Sequence, residues 1–242
     1  MIGFSLLMGM GASLAILRVV QGVPRWQAPR WANASLLTLL GALLGARILY
    51  VGLQWSYYSS HLFEIFAVWQ GGLHWSGGVC GGLLAVVCVA WRWKTALGKI
   101  ADGLVPLVPP LVVSIWLANW TTGYVYGPHA PEGALWGVPS LDEYGLLASR
   151  FPLQLTAALF MLIYAVTLDA RAHLLKIEGQ KASLILLGLA LDLVIFLPLR
   201  ADAAPRWGRH PVDLWAALSL FAVSLGLCLL VFRNLIKRKA EQ

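Results

Sequence analysis

Charged residues are scarce in this sequence. Asp, Glu, Lys and Arg together make up 12% of the 242 residues, whereas hydrophobic residues make up 59%. Soluble globular proteins carry about 25% charged residues, so this composition excludes an ordinary soluble domain. It predicts a membrane protein, in which long apolar segments face lipid.

Acidic residues are scarcer still: 11 Asp and Glu stand against 18 Lys and Arg, which gives a net charge of +7. A positive balance can indicate a nucleic-acid-binding protein when the basic residues form one patch. Here they lie at the ends of apolar segments, where the positive-inside rule places them in membrane proteins. We therefore expect no nucleic-acid partner.

The chain has only three cysteines, Cys80, Cys88 and Cys228, and each lies within an apolar run. Their number is odd and none has a Cys-x-x-Cys spacing, so the pattern indicates neither a disulfide framework nor a cysteine-based metal site. We interpret them as small buried hydrophobic residues and expect no bound metal.

A basic segment before the first apolar run is also missing. The chain starts MIGFSLLMGMGASLAILRVV, and its first positive charge, Arg18, follows that run. A cleaved signal peptide starts with positive residues, so we expect an uncleaved first span with its N-terminus outside.

Seven apolar segments approach or reach the roughly 17–25 residues that a helix needs to cross a bilayer. Basic residues cluster in alternate connections and in the C-terminal tail, although the last outer connection breaks this trend with Arg200, Arg206 and Arg209. The pattern predicts an outside N-terminus and a cytoplasmic C-terminus. The fold class is therefore an all-α polytopic membrane protein of one domain, residues 1–242, whose fourth helix is kinked by Pro106, Pro109 and Pro110. The predicted spans are 1–18, 33–54, 76–91, 100–118, 152–168, 182–199 and 212–232, with outer-face connections near 55–78, 119–150 and 200–211.

Four ionisable residues lie within or at the ends of these spans. Because an unpaired charge in lipid is costly, each one is a functional candidate. Asp102, Asp192 and Arg200 lie near span ends, and for the two aspartates the alternative is an internal ion pair or a snorkelling end residue. Arg47 lies well inside the second span, and a guanidinium suits a lipid phosphate by its bidentate geometry.

The stretch GGLHWSGGVCGG, Gly71 to Gly82, concentrates six glycines between apolar runs. Gly77/Gly81 and Gly78/Gly82 have the GxxxG spacing that lets membrane helices pack closely. Gly71 and Gly72 fall outside this spacing. They predict a turn near the outer leaflet, whose backbone N–H groups could meet a phosphate.

Two further polar clusters interrupt the apolar pattern. WLANWTTGYVYG, Trp116 to Gly127, includes Asn119, and RFPLQLTAA, Arg150 to Ala158, includes Gln154. The first cluster could be an ordinary exit from the membrane interface. An intramembrane glutamine could likewise serve only to hydrogen-bond a neighbouring helix.

In this order, these segments resemble the prolipoprotein diacylglyceryl transferases of bacteria over nearly the whole chain. GARILYV resembles that family's Gly-Arg-x-Gly-Tyr block, and FAVWQGGLHWSGGVCGG resembles its Trp-x-Gly-Gly-x-Ser-x-His-Gly-Gly-x-x-Gly stretch. KIADGLVPLVPP resembles the Asp-x-x-x-Pro segment that follows. NWTTGYVYG falls where the family has Asn-Phe-x-Asn-Gly-Glu-x-x-Gly, and FPLQL where it has His-Pro-x-Gln-Leu.

The resemblance implies an activity in the bacterial plasma (inner) membrane. Members of the family move the diacylglyceryl group of phosphatidylglycerol onto the thiol of a lipobox cysteine in a prolipoprotein, and glycerol phosphate leaves. Phosphatidylglycerol and the prolipoprotein signal peptide are therefore the implied partners, and no cofactor is implied. The implied site residues are Asn119 and Gly127 for catalysis and substrate positioning, and Arg47, Arg200, Gly123 and Gln154 for phospholipid binding. His74 lies two residues before the family's histidine position and is the candidate catalytic base.

Several family positions carry other residues in this chain. Ser76 replaces a histidine, Trp116 an arginine and Tyr124 a glutamate, while Leu193 and Leu197 align with an arginine and a glutamate of span six. A catalytically inactive descendant therefore remains an alternative, as a phospholipid-binding or structural subunit with a protein partner. A small transporter is a weaker alternative, because neither paired carboxylates nor matching broken helices are evident.

Overall fold

The structure of the chain, a computed structural model, describes residues 2–203, 206–207 and 210–240. Seven helical segments within these residues are long and apolar enough to cross a membrane, which confirms the predicted all-α polytopic class. The predicted connection at 200–211 includes residues 204, 205, 208 and 209, which lie outside the described residues. The seven segments are Gly3–Gln21, Arg25–Leu53, Trp75–Trp93, Leu97–Thr122, Leu153–Ala170, Gln180–Leu199 and Val212–Arg233.

The described residues form helices and two short antiparallel hairpins. The hairpins pair β1 (Val138–Leu141) with β2 (Leu147–Arg150), and β3 (Arg206–Trp207) with β4 (His210–Pro211). The helices are α1 (Ile2–Gln21), α2 (Ala28–Leu53), α3 (Trp55–Tyr58), α4 (Trp75–Trp93), α5 (Leu97–Leu104), α6 (Val108–Thr122), α7 (Leu153–Ala170), α8 (Gln180–Phe196) and α9 (Val212–Ala240).

The predicted break in the fourth span is confirmed. A 3₁₀ turn at Val105–Leu107, which contains Pro106, separates α5 from α6. Pro109 and Pro110 follow in the first turn of α6, where the missing N–H of proline leaves no helical hydrogen bond unmade. The prolines thus divide one span into two helical pieces.

The chain forms two compact units, which are described separately. The α2–α4 unit comprises Ile16–Leu107, and the α6–α9 unit comprises Met1–Ala15 and Val108–Gln242. Each unit contains part of the set of candidate site residues.

Close packing of α2 against α4 depends on one pair of glycines from each helix. A Cβ added to Gly81 would collide with the carbonyl oxygen of Gly41 and lie 2.9 Å from Gly45 Cα. A Cβ on Gly77 would collide with the carbonyl of Gly45 and lie 2.7 Å from Leu49 Cβ. The GxxxG prediction is therefore confirmed for Gly77 and Gly81, whose backbones touch the partner helix.

The second GxxxG pair has looser surroundings. An added Cβ would lie 3.6 Å from the nearest atoms at both Gly78 and Gly82, which is ordinary van der Waals distance. The two glycines thus face α2 without needing the absence of a side chain.

Trp31 joins α2 to the ends of α4 and α5 within the same unit. Its ring meets Trp93 edge to face, with centroids 5.3 Å apart, and a Cβ on Gly103 would collide with it. The Arg30 guanidinium lies 4.0 Å from the centroid of Trp93. Aromatic and cation–π contacts therefore close this end of the unit.

In the α6–α9 unit, α7 and α8 are joined by Tyr164. Its hydroxyl donates to Leu184 O at 2.7 Å, and Gly188 leaves room for its ring.

The expectation that all cysteines are buried is correct for Cys228 and wrong for Cys80 and Cys88, which are exposed. An apolar run does not predict burial within the protein, because a membrane helix also presents an apolar face to lipid.

Replacing one of the tightly packed glycines should loosen the α2–α4 unit. We expect Gly81→Ala to lower the free energy of unfolding by about 1–3 kcal/mol, because its methyl group would overlap the α2 backbone. Gly82→Ala is the matched control and should leave it unchanged or raise it by up to about 1 kcal/mol, because alanine favours the helix and meets no close atom. Denaturant unfolding in detergent micelles would measure both, and equal effects would contradict this account of the packing.

Candidate functional site

Arg47 lies in α2 with only 5% of its surface exposed. Nε donates to Ile65 O at 2.8 Å, and Nη1 donates to Gly71 O at 2.8 Å and to Gly72 O at 3.0 Å. Nη2 donates to Glu64 O. One buried side chain of α2 therefore fixes the path of the connection that leads into α4, and we call this arrangement the Arg47 centre.

Two glycines give this connection a shape that turns its carbonyls towards Arg47. Gly71 and Gly72 have φ angles of +88° and +70°, which side chains rarely tolerate. A Cβ on Gly72 would also lie 2.6 Å from the Tyr50 ring and 2.7 Å from Arg47 Nη1. The predicted turn is confirmed, but the expectation that it presents N–H groups to a phosphate is wrong for Gly71, whose N–H donates to Val68 O at 3.3 Å.

The positive charge of Arg47 meets dipoles and aromatic rings. The carboxylate of Glu64 accepts a hydrogen bond from the Tyr57 hydroxyl at 2.7 Å, which raises the pKa of Tyr57. Within the described residues no carboxylate pairs with Arg47, whose Cζ lies 5.3 Å from the Tyr58 ring centroid and 6.0 Å from that of Tyr50. The carbonyls use four of its five N–H groups. The guanidinium is therefore held by backbone carbonyls, and no described carboxylate forms an ion pair with it.

His74 lies at the start of α4, next to the Arg47 centre. The backbone N–H of His74 donates to Ala46 O at 3.0 Å, which fixes the start of α4 to the residue that precedes Arg47 in α2. Its ring Nδ1 and the Ser76 hydroxyl share a hydrogen bond of 2.8 Å. The imidazole thus contacts the residue that stands at the histidine position of the motif described above.

In the α6–α9 unit, the candidate residues gather around the backbone of residues 123–127, which we call the 123–127 segment. Gly123, with φ +72°, ends α6, and the following Tyr124 N–H donates back to Asn119 O at 3.2 Å. A Cβ on Gly123 would collide with the Asp142 backbone, and one on Gly127 would lie 2.5 Å from Phe151 O. Both glycines are thus required by close backbone approach.

Gln154 holds the 123–127 segment from α7. It is 0% exposed, and its Nε2 donates to Tyr124 O at 2.9 Å. Its Oε1 is buried and has no hydrogen-bond partner within the described residues. The side chain therefore bonds to the segment's backbone and not to a neighbouring helix, which was the alternative.

Arg200 is bonded to two carboxylates. Nε and Nη2 donate to Asp202 at 2.7 and 2.6 Å, and Nη1 donates to Asp213 at 2.6 Å. Asp202 also accepts the backbone N–H of Val125 at 3.2 Å. Burial opposes the charge of Arg200, but the two aspartates outweigh it and hold its pKa above the ordinary value. Arg200 thus braces the 123–127 segment against the start of α9.

A third support comes from the connection between α6 and α7. The Arg150 guanidinium lies 4.2 Å from the Tyr126 ring centroid and donates to Asp142 at 3.3 Å. Burial, with help from Glu143, raises the pKa of Tyr126 to about 12, so its hydroxyl stays protonated. Sequence reasoning missed this cluster and the two aspartates on Arg200, although the spacing of two residues between Arg200 and Asp202 was a visible signal.

Asp192 forms no ion pair with any residue that the structure describes, so the ion pair that was its alternative is not seen. It is 0% exposed, and its Oδ2 accepts a hydrogen bond of 2.8 Å from the indole of Trp116. Its Oδ1 has no partner in the part of the chain that the structure describes. Trp116 stands at the position where the resemblance expects an arginine, and its indole N–H donates to the carboxyl group of Asp192.

The candidate residues thus fall into two groups. Arg47 and His74 lie together in the α2–α4 unit, and the other five surround the 123–127 segment in the α6–α9 unit. Asn119 contributes its backbone carbonyl, while its side-chain amide makes no hydrogen bond to another described residue. Among the described residues, no three His, Cys, Asp or Glu side chains lie together as metal ligands would.

Comparison with known proteins gives one family. The sequence model described as prolipoprotein diacylglyceryl transferase matches residues 1–242. Among curated proteins, the phosphatidylglycerol–prolipoprotein diacylglyceryl transferase of Burkholderia ambifaria is 28% identical over 236 residues, covering 93% of this chain and 75% of its own length. That of Burkholderia thailandensis is 28% identical over 234 residues, covering 93% and 74%. That of Burkholderia multivorans is 30% identical over 142 residues, covering 56% and 48%.

Replacing Arg47 with lysine should release the connection that precedes α4. Lysine keeps the charge but lacks the planar fork, so at least one hydrogen bond worth about 1.5–3 kcal/mol is lost. We expect chymotrypsin to cleave Arg47→Lys after the exposed Phe63 and Phe66 roughly ten- to a hundredfold faster than the wild type, measured as peptide release. Arg30→Lys, a change at an exposed arginine, should leave the rate unaltered, and an unaltered rate in Arg47→Lys would contradict the role given to the carbonyl bonds.

Proposed function

Because the chain belongs to the prolipoprotein diacylglyceryl transferase family, we propose that it moves the diacylglyceryl group of phosphatidylglycerol to the cysteine thiol of a prolipoprotein. The sulfur forms a bond to the carbon of the diacylglyceryl group that carries the phosphate, and the bond from that carbon to the phosphate oxygen breaks. Glycerol phosphate leaves with the bonding electrons, and a base takes the thiol proton. The reaction takes place in the bacterial plasma membrane. The observation that carries this proposal is the family match over residues 1–242, which includes both groups of candidate residues.

Arg47 is the residue that we propose to attract the phosphodiester. Its charge is buried, carries no described carboxylate partner and keeps one N–H uncommitted to the carbonyls. In a low-dielectric surrounding such a charge favours an anion strongly, and it stabilises the charge that develops on the leaving phosphate. Arg200 has a different role, because Asp202 and Asp213 already neutralise it.

His74 and Ser76 are the pair that we propose to accept the thiol proton. The family motif has Ser-x-His where this chain has His74-x-Ser76, so the same two side chains occur in exchanged order. The hydrogen bond of 2.8 Å between them lets the imidazole act directly or through the hydroxyl. The histidine missing from its family position is therefore replaced by a neighbour in contact with that position.

The 123–127 segment is the substrate-positioning element of the α6–α9 unit in this proposal. Gln154 and Asp202 hold its backbone, and Gly123 and Gly127 let it lie against neighbouring backbone. The side-chain amide of Asn119 remains available to a ligand, since no described residue bonds to it. A segment fixed on several sides keeps a substrate in a reactive geometry.

The transfer reaction itself is the direct test of this function. Purified protein would be incubated with phosphatidylglycerol and a lipobox peptide, and mass spectrometry would look for the diacylglyceryl adduct on the peptide cysteine. The same peptide with serine in place of cysteine is the control and should form no adduct. No adduct from folded protein would reject the transferase in favour of the inactive, phospholipid-binding descendant.

The His74–Ser76 pair can be tested by removing and by exchanging its members. We expect His74→Ala to lower kcat by about 10²–10⁴, the usual contribution of a general base. The double variant His74→Ser/Ser76→His restores the family order and should recover activity to within about tenfold of the wild type. Initial rates of adduct formation would measure both, and a wild-type rate in His74→Ala would eliminate this residue as the base.

A further inference from the structure

An open groove of about 570 Å³ lies where α4 ends and α5 begins. Its lining combines exposed apolar side chains, among them Val87, Trp91 and Leu97, with two cations, Arg92 and Lys94. Sites that hold a small molecule have volumes of about 300–1,000 Å³. The groove therefore has the size and the mixed lining that suit a charged head group joined to an apolar chain.

The two cations are available to a ligand. Within the described residues, neither the Arg92 guanidinium nor the Lys94 ammonium takes part in a hydrogen bond or an ion pair. A third cation lies close by, since Arg30 stacks at 4.0 Å on Trp93, the residue between them in the sequence. Positive charge is thus concentrated at a helix end where the chain leaves the membrane.

Lys94 occupies this position in a backbone conformation that disfavours lysine. It ends α4 with φ 51° and ψ 42°, the left-handed region, where glycine is the usual residue. The following Thr95 N–H donates to Ala90 O at 3.1 Å and closes the helix end. The capping geometry therefore does not require the lysine, whose charge lies in the lining of the groove.

We propose that this groove binds an anionic phospholipid of the leaflet in which α4 ends, predicted to be the cytoplasmic one. The phosphodiester lies between Arg92 and Lys94, and an acyl chain follows the apolar lining towards Val87. The Arg47 centre lies at the opposite end of α4, about 28 Å away by helix rise, so this lipid is not the proposed donor. The site therefore does not rest on the proposed transferase activity.

Binding can be measured by titrating the detergent-solubilised protein with phosphatidylserine and counting bound lipids by native mass spectrometry. Phosphatidylserine is anionic without being the proposed donor, and phosphatidylcholine is the neutral comparison. A lysine or arginine next to the membrane contributes about 1 kcal/mol to the binding of an anionic lipid, so its removal should weaken the affinity about fivefold. We expect this loss in Arg92→Gln and in Lys94→Gly, and about 25-fold in the double variant.

Lys94→Gly separates binding from folding. Because glycine suits the left-handed turn, its Tm without lipid should equal or exceed that of the wild type, while its affinity for phosphatidylserine falls. Lys99→Gln, a change at an exposed lysine outside the groove, is the matched control and should alter Kd by less than about twofold. Equal losses in Lys99→Gln and Lys94→Gly, equal binding of phosphatidylcholine, or full displacement by inorganic phosphate would each overturn the proposal.

Discussion

The buried charge of Arg47 is the constraint on which the α2–α4 unit depends. A guanidinium without polar partners in such a place would cost several kcal/mol, so the chain brings backbone carbonyls to it. Those carbonyls reach Arg47 because Gly71 and Gly72 adopt left-handed conformations, and α4 can follow closely because Gly77 and Gly81 pack on α2. The glycine-rich stretch therefore serves two needs that arise from one buried side chain.

The two arginines expected to bind phosphate lie in opposite electrostatic surroundings. Arg47 is solvated by carbonyl dipoles, which accept four of its five N–H groups and form no ion pair with it. Arg200 meets Asp202 and Asp213, so its charge is neutralised and its contribution is to hold the 123–127 segment. This difference is the reason that we propose Arg47, and not Arg200, as the residue that attracts the phosphodiester.

The sequence predicts what depends on local pattern and misses what depends on distant contacts. The apolar runs reveal the spans, the prolines reveal the break before α6, and the GxxxG spacing reveals the α2–α4 contact. The bond between Val125 and Asp202 joins residues 77 positions apart, and that between Trp116 and Asp192 joins residues 76 apart. Such pairs have no spacing rule, because tertiary packing alone brings them together. Lipid-facing positions are missed for a related reason, since lipid and protein interior are equally apolar.

We propose that the charge of Arg47, and not only its hydrogen bonds, serves the phospholipid. The Kd for phosphatidylglycerol of Arg47→Gln and Arg47→Lys, measured by native mass spectrometry, is the decisive quantity. Both variants would carry Arg92→Gln and Lys94→Gly, which remove the two cations of the groove at the other end of α4. We expect Arg47→Gln to bind at least about tenfold more weakly than Arg47→Lys, because a charge-assisted bond to phosphate is lost. Equal affinities of the two variants would contradict it and would leave Arg47 as a residue that only shapes the connection before α4.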